Sequence, residues 1–597
     1  MIRQWLSALG WIIAIVAVSL LTLSEPDKPV PVKVTSLEAN HQEVRVEMRD
    51  GIYLAADLYL PTAAGPFPTL VRKTPYSRER GKEAAKVFTT NGYAVLIVSQ
   101  RGRFGSEGIF HQARNEGWLE HPDGYDTIEW AAQQSWSNGK IGTYGISSDA
   151  QWQLSTAPTR PPSLYAMFAS YAAHHRIGGR MERGVHTSAG PTWHYNNNAV
   201  PRPLRTTADY AAWLAAWKQT RLPFIASFLH PEIVEQFVHN TYDDYWRDID
   251  PATRYTDFDV PIYHESGWYD RYVRWSFQNF NQISQEGHSQ RTRESQKVIM
   301  GPWVHGGDLP PETDTAYFGP AAKIDRQKLQ LRWFDYWLKD LDTGIMDEPA
   351  LRIYLMGADQ WLEGDTWPLP DTTYVPYYFR SGTGKPSGSL NDGRLLKLPP
   401  TSEKPDEYVH DPYNPIPTIG GHGGYGRMWT MGPQDNRPAE SRILTFTTDP
   451  LQQDLEVVGE IQARFFASSS APDTDFVLTL TDVYPNGYSA LLRQNVIRGR
   501  YRLSQEKESL LKPGQVYEFS FALDAIANLF KTGHRIRISI ASSSFPSYLP
   551  NPGTAEPMHL VTHAVTAHNR IYHDSRYPSS IQFPIHQRKN DGITVED

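Results

Sequence analysis

The sequence predicts an α/β fold built on a mostly parallel sheet, interrupted by a helical insertion and followed by a β-sandwich. Three observations point there. Short apolar runs alternate with helical segments from Val44 onward, and the alternation resumes at Val260. Between them, residues 176–251 lose the strand pattern and gain aromatic and helical segments. From about Leu351 onward, polar and apolar residues alternate at period two. Ile461, Ala463 and Phe465 alternate with Gln462 and Arg464, and Ile536, Ile538 and Ile540 with Arg537 and Ser539.

Taken in order, the chain opens with Arg3 and an apolar run from Trp5 to Leu23, ended by Glu25-Pro26-Asp27. This pattern predicts a secretory signal or a single membrane anchor over residues 1–25, with the remainder exported from the cytoplasm. Pro29 to Ser36 reads as a linker. Strands are expected over Val44–Met48, Ile52–Leu60, Thr69–Arg72 and Ala94–Ser99, with a helix over Gly81–Thr90. The loop Arg101–Gly108 lacks the Gly-Lys-Ser/Thr ending of a phosphate loop and the spacing of a dinucleotide motif, so it is read as packing around the turn that follows. Asp126 to Gln134 reads as a helix begun by Asp126.

The stretch Trp136–Ala157 organises the rest. Asn138-Gly139 is a turn, Lys140–Tyr144 a strand, Gly145-Ile146-Ser147 a sharp bend, and Ser148–Ala157 a helix stopped by Pro158. Strand, bend and helix in that order are the context of a nucleophile elbow, where a serine hydroxyl projects from the sheet edge. In the insertion, helices are expected over Thr207–Thr220 and Pro231–Val238, which could cap a pocket or form a plain packing layer. Strands at Val260–Glu265 and Lys297–Met300 are followed by Ser266-Gly267-Trp268-Tyr269-Asp270 and Gly301-Pro302-Trp303-Val304-His305. Leu329–Leu341 is amphipathic and is ended by Asp342-Thr343-Gly344.

Composition narrows the function. The 597 residues suggest about three domains. With 66 acidic and 58 basic residues, a net charge of −8 and no basic cluster, nucleic acid and anionic lipid are disfavoured as main partners. The absence of cysteine excludes disulfides, thiolate chemistry and Cys-ligated metal. His174 and His175 are adjacent rather than spaced along one helix face, and no HExxH occurs, so metal hydrolysis fits poorly and no cofactor is expected.

A serine needs a base to be nucleophilic at neutral pH, and the base needs an orienting carboxylate. Ser147, Asp270 and His305 occur in the order Ser, Asp, His that this architecture uses, each just past an expected strand. Alone, His305 would be structural and Asp270 a helix cap; together they read as a triad.

Several longer stretches resemble one family. RKTPY (72–76), QRGRFGSEG (100–108), WSNGKIGTYGIS (136–147), SGWYD (266–270), GPWVHGG (301–307), LRWFDYWLKDLDTGIMDEP (331–349), DPYNPIPTIGG (411–421), SSSAPDTDF (468–476) and FKTGHRIRISIASSSFP (530–546) are similar to the cocaine esterase-type (CocE/NonD) hydrolases. That family shares its fold with X-prolyl dipeptidyl peptidases and α-amino acid ester hydrolases. The resemblance implies an α/β-hydrolase domain over residues 37–175 and 252–348, a helical cap over 176–251 and a jelly-roll-like β-sandwich over 349–590. It also implies roles: Ser147 as nucleophile, His305 as general base, Asp270 orienting the histidine, Tyr76 donating its hydroxyl to the oxyanion and the Ser148 main-chain N–H as second donor.

Two departures bear on specificity. Ser148 and Ala150 stand where the family often has Tyr and Gly. Arg271 and Tyr272 follow Asp270, and no acidic cluster for a substrate ammonium is evident. The leading expectation is a serine hydrolase acting on a small-molecule ester or amide through an acyl-enzyme. X-Pro dipeptidyl-peptidase or amino-acid ester/β-lactam acylase activity is the alternative within the class, and a non-catalytic exported binding protein the alternative outside it.

Overall fold

The computed structural model describes residues 40–587 apart from 112–113, 173–180, 188–192, 194–230, 308, 310–317, 383–387, 423–431 and 562. The expected signal or anchor at 1–25, the linker at 29–36, His174-His175 and the helix at 207–220 lie outside the described residues. No helix among the described residues is long and apolar enough to cross a membrane. The chain divides into a short unit, Met1–His41, and a unit Gln42–Asp597.

The first sheet is built from β1 (His41–Glu47), β2 (Tyr53–Tyr59), β3 (Phe67–Thr74), β4 (Ala94–Ser99), β5 (Ser137–Ile146) and β6 (Leu164–Ser170). After a small hairpin, β7 (Met181–Glu182) with β8 (Val185–His186), it continues with β9 (Ile262–Tyr269), β10 (Lys297–Val304), β11 (Leu351–Leu355) and β12 (Gln360–Gly364). The order is β1-β2-β4-β3-β5-β6-β9-β10-β11-β12. Every pairing from β4 through β3, β5, β6, β9 and β10 to β11 is parallel. The mostly parallel sheet expected from the sequence is present.

Helices cover both faces, and the side-chain alternation of β4 shows how. Val95 and Ile97 pack with α1 (Lys82–Thr90) and α6 (Arg326–Lys339) through Phe88, Trp333 and Phe334. Leu96 and Val98 point the other way, to α2 (Asp123–Ala132) and α3 (Ser148–Thr156) through Ile128, Ala150 and Trp152. A strand buried on both faces has no room for polar alternation, which is why β4 reads as a continuous apolar run. The described part of the insertion holds the β7–β8 hairpin and α4 (Pro231–Val238). α5 (Val273–Glu286) follows β9.

Several expectations shift. The helix expected from Asp126 starts at Asp123, because the Asp126 carboxylate is held by Arg49 at 2.6 Å rather than capping the helix. α6 ends at Lys339 and is capped by Asp340, whose backbone is left-handed at φ 57°, two residues before the expected stop at Asp342. The 101–108 loop packs on the β1–β2 side, with Glu107 accepting from the Tyr53 amide, while Arg103 donates to the Pro75 carbonyl. The strands Leu351–Leu355 and Gln360–Gly364, placed with the β-sandwich by the 348/349 boundary, instead extend the first sheet. Their alternation is equally suited to either sheet, and only pairing partners decide.

The second large sheet has 11 strands among the described residues. Its longest pairing is antiparallel, Leu455–Ser469 with Tyr517–Phe530. Alternate residues Ile461, Ala463, Phe465, Phe519, Phe521, Ile536, Ile538, Ile540 and Phe583 fill one core, as the period-two pattern requires. Strands Asp475–Val483 and Ser489–Arg498 are buried along their whole length. One row, Phe476, Leu478 and Leu480, enters that core, while Val477 and Val496 meet Val185 of β8 and Tyr548. The same core takes in Trp268, Val298, Met300 and Ile353 of the first sheet and Phe277 of α5.

Candidate active site

The carboxyl ends of parallel strands in an open α/β sheet form the edge at which ligands bind. Ser147 follows β5, Asp270 follows β9, His305 follows β10, and Tyr76 lies two residues past β3, so parallel strand direction brings all four to one edge.

Ser147 sits on the bend between β5 and α3 with φ 63° and ψ −122°, a conformation side-chain-bearing residues rarely adopt. Its side chain makes no cap hydrogen bond to α3, so the helix does not claim the hydroxyl. Its amide donates to the Ser170 carbonyl at 2.9 Å, and its carbonyl accepts from Ala150 and Gln151, both at 2.8 Å. The bend needs a glycine two residues earlier. A Cβ on Gly145 would lie 2.3 Å from the Asp149 carbonyl oxygen. Beneath the bend, Asp149 is buried and paired with Arg72 of β3 at 2.5 Å, which ties the first turn of α3 to the sheet.

His305 Nδ1 lies 2.5 Å from Asp270 Oδ2. An ionised carboxylate only accepts, so Nδ1–H is the donor and Nε2 is left as the basic nitrogen. Asp270 is fully buried, and its other oxygen accepts from the Tyr272 amide at 2.6 Å. Its amide donates to the Gly267 carbonyl at 2.8 Å. The imidazole is about one-fifth exposed and stands edge-to-face with Tyr171, at 5.9 Å, and Tyr272, at 5.6 Å. Tyr171 directly follows the Ser170 that binds the Ser147 amide, so one segment contacts both the serine and the histidine. That segment is itself anchored. Fully buried Glu265 accepts from Ser170 Oγ at 2.7 Å and from Arg326 Nε at 2.6 Å, and its carbonyl accepts from the Tyr171 amide at 2.7 Å. Burial, then the neighbouring Glu265 carboxylate, pushes the Tyr171 phenol well above its ordinary range and keeps it protonated.

Tyr76 faces the same bend. Its hydroxyl donates to Ser148 Oγ at 3.4 Å and accepts from Trp193 Nε1 at 2.7 Å, with the two rings edge-to-face at 6.1 Å. Arg80 lies over the other side of the phenol ring at 4.6 Å. Ser148 is the first residue of α3, so its amide points from the helix N-terminus, where a developing negative charge is favoured. The five residues singled out from the sequence therefore gather at one sheet edge. Tyr171, Trp193 and the Glu265–Arg326 pair were not singled out, and Tyr272 was noted only as a departure bearing on specificity. The one sequence signal for Tyr272 was its place two residues after Asp270, which is the spacing of an aspartate that folds back on its own chain.

An edge carrying a hydroxyl on a strained bend, an imidazole oriented by a buried carboxylate, and N–H and O–H donors beside the bend can carry out acyl transfer. The family model for the X-Pro dipeptidyl-peptidase (S15 family) matches residues 50–307, and that for the X-Pro dipeptidyl-peptidase C-terminal non-catalytic domain matches residues 343–582. The cocaine esterase of Rhodococcus sp. (strain MB1 Bresler) is 31% identical over 582 residues, covering 91% of this chain and 98% of that protein. Among solved structures, an aminopeptidase from the marine sediment archaeon Thaumarchaeota archaeon superposes with a TM-score of 0.79 at 25% identity, covering 95% of this chain and 100% of its own. An α-amino acid ester hydrolase does so with the same TM-score and identity, covering 94% of this chain and 100% of its own.

Proposed function

Since this chain belongs to the CocE/NonD family of serine hydrolases, we propose that it cleaves a small-molecule ester through an acyl-enzyme on Ser147. The observation that carries this is the 2.5 Å contact of His305 Nδ1 with buried Asp270, on the same sheet edge as the strained Ser147. In the proposed sequence, Ser147 Oγ attacks the acyl carbon while His305 Nε2 takes its proton. Asp270 holds the imidazole and stabilises the imidazolium that forms. The oxyanion is met by the Tyr76 hydroxyl and the Ser148 amide. His305 then gives its proton to the leaving oxygen, and a water deprotonated by the same nitrogen releases the acid.

Treatment with a fluorophosphonate followed by peptide mass spectrometry tests the assignment. The adduct is expected on Ser147, and Ser147→Ala is expected to abolish turnover while Ser148→Ala retains it. An adduct on Ser148 would reverse the two roles, and no adduct at all would favour a binding protein.

The alternative, X-Pro dipeptidyl-peptidase or amino-acid ester/β-lactam acylase activity, is supported by the fold likeness to an aminopeptidase and an α-amino acid ester hydrolase. Against it, the residues after Asp270 are Arg271, which donates to Thr187 Oγ1 at 3.3 Å, and Tyr272, which packs on His305. Neither supplies the carboxylate that would pair with a substrate ammonium. A panel of p-nitrophenyl esters, amino-acid amides, β-lactams and X-Pro anilides separates these substrates, with the simple esters expected to turn over fastest. We also propose that the chain works outside the cytoplasm, on the strength of the apolar Trp5–Leu23 run. A reporter fused after Thr35 should be active only when exported.

A further inference from the structure

Arg493 lies in strand Ser489–Arg498 of the second sheet, more than two hundred residues beyond Asp270 in the chain. It is 1% exposed. Its Nη1 donates to the Trp268 carbonyl at 2.6 Å and reaches the Asp270 carbonyl at 3.4 Å. Its Nη2 donates to Asp524 Oδ2 at 3.1 Å. The C-terminal domain thus places a guanidinium directly under the turn that carries the carboxylate bound to His305.

The first sheet needs that donor. Pairing of β9 with β10 is regular up to Gly267–Gly301 and then slips before Tyr269–Val304. Trp268 falls in the slip, where the regular ladder is interrupted, and its carbonyl accepts from Arg493 there. The slip brings the two backbones so close that only glycine fits at 267, where a Cβ would lie 2.2 Å from the Trp303 carbonyl oxygen. On the other side, Asp524 is held for the purpose. It adopts φ 70° inside strand Tyr517–Phe530, at a bulge where pairing passes from Glu460–Ala525 to Gln462–Ala522. Burial alone would raise its carboxyl, but Arg274, Arg493 and Arg183 outweigh that and hold it low, so it remains an anionic anchor. Arg274, four residues after Asp270, lies 3.6 Å from its second oxygen.

We propose that Arg493 is a positioning residue for the Asp270–His305 pair, so that the β-sandwich is part of the catalytic unit rather than an appended module. The proposal rests on the Ser147–His305–Asp270 assignment. The guanidinium fork spans Asp524 and two carbonyls of the Asp270 turn at once, a geometry an ammonium cannot reproduce. Removing it frees the turn to move relative to β10, and the cost falls on the orientation of His305 rather than on substrate binding.

The test compares the full chain with Arg493→Met, Arg493→Lys, Asp270→Asn and the Arg493→Met/Asp270→Asn double variant on p-nitrophenyl acetate. Arg493→Met is expected to lower kcat about 10- to 100-fold with KM nearly unchanged, as misplacement of a catalytic group does. Arg493→Lys keeps a cation opposite Asp524, and hence the fold, and is expected to fall between wild type and Arg493→Met. In the Asp270→Asn background, Arg493→Met should change the residual rate by less than about twofold, because the two residues act through one pair. A purely structural arginine would cost the same factor in both backgrounds, and that result overturns the proposal. Wild-type kcat in Arg493→Lys overturns it as well. A fully active Asp270→Asn enzyme would instead remove the triad assignment and the proposal together.

Discussion

Trp193 Nε1–H occupies one lone pair of the Tyr76 hydroxyl at 2.7 Å, so the phenolic proton must point elsewhere, and its neighbour in the other direction is the first residue of α3. That arrangement suits a donor to the oxyanion. Such a bond strengthens as charge develops, so it acts on the transition state more than on bound substrate. Tyr76→Phe removes only the hydroxyl and keeps the ring against Trp193. Its kcat should fall about 10²- to 10³-fold with KM and Tm nearly constant. Trp193→Phe, which removes the indole N–H that orients the phenol, should cost less than Tyr76→Phe on the same slow alkyl ester. A near wild-type kcat for Tyr76→Phe would remove Tyr76 from the chemistry. Ser147, Asp270 and His305 were legible in the sequence because each directly follows a strand, so parallel strand direction puts all three at one sheet edge. Trp193 and Tyr171 were not, because their contacts with Tyr76 and His305 arise from how separate loops pack, which no local pattern encodes.

Elements were legible where a single neighbour decides them and illegible where two would do. The β4 run and the strand–bend–helix at Ser147 could be read directly, since burial on both faces and the Gly145 contact leave one solution. β11 and β12 could not be assigned, because their sequence pattern suits a strand of either sheet and only the pairing partners decide. Charged residues in loops carry a similar ambiguity, and His573 shows what it conceals. Its imidazole is fully buried in the second sheet's domain, edge-to-face with Phe446, with Nδ1 3.2 Å from Glu403 and Nε2 3.0 Å from Asp406. Burial favours the neutral ring, but the Asp406 and Glu403 carboxylates outweigh it and raise the imidazole above its ordinary 6.5. A histidine that binds its proton more tightly in the folded state stabilises fully below the unfolded value. That contribution is lost as pH rises through the folded value. Thermal melting should therefore fall as pH rises from about 6.5 into the alkaline range, and His573→Gln should flatten that slope while lowering Tm most at the acidic end. A variant whose Tm runs parallel to wild type from pH 6 to 9 would refute the coupling.

At the scale of the molecule, the two sheets share one apolar core, and this decides whether the hydrolase half can stand alone. Trp268, Tyr269, Val273, Phe277, Phe280, Val298, Met300 and Val304 belong to β9, β10 and α5, yet they are buried in the same cluster as Phe465, Ile538 and Phe583. Cutting the chain after β12 would uncover that face. Exposing a large apolar side chain costs roughly 1.5–3 kcal/mol, so even partial exposure of these eight approaches the whole stability of an ordinary domain, about 5–15 kcal/mol. The cut would also strip the Trp268 carbonyl of its Arg493 donor, leaving an unsatisfied strand end beside Asp270. Residues 40–365 expressed alone are therefore expected to be aggregated, or monomeric with strong binding of a hydrophobic dye, without a cooperative melt and without ester hydrolysis. A second, strand-rich part was visible in the sequence as a change of pattern at about Leu351, although the first two strands past it join the first sheet; the dependence of the two parts on each other was not visible, because an apolar residue at a strand end looks the same whether it faces a helix or another sheet. A soluble, monomeric 40–365 fragment that melts cooperatively would show the shared core to be dispensable, and esterase activity in that fragment would exclude any contribution of the β-sandwich to the site.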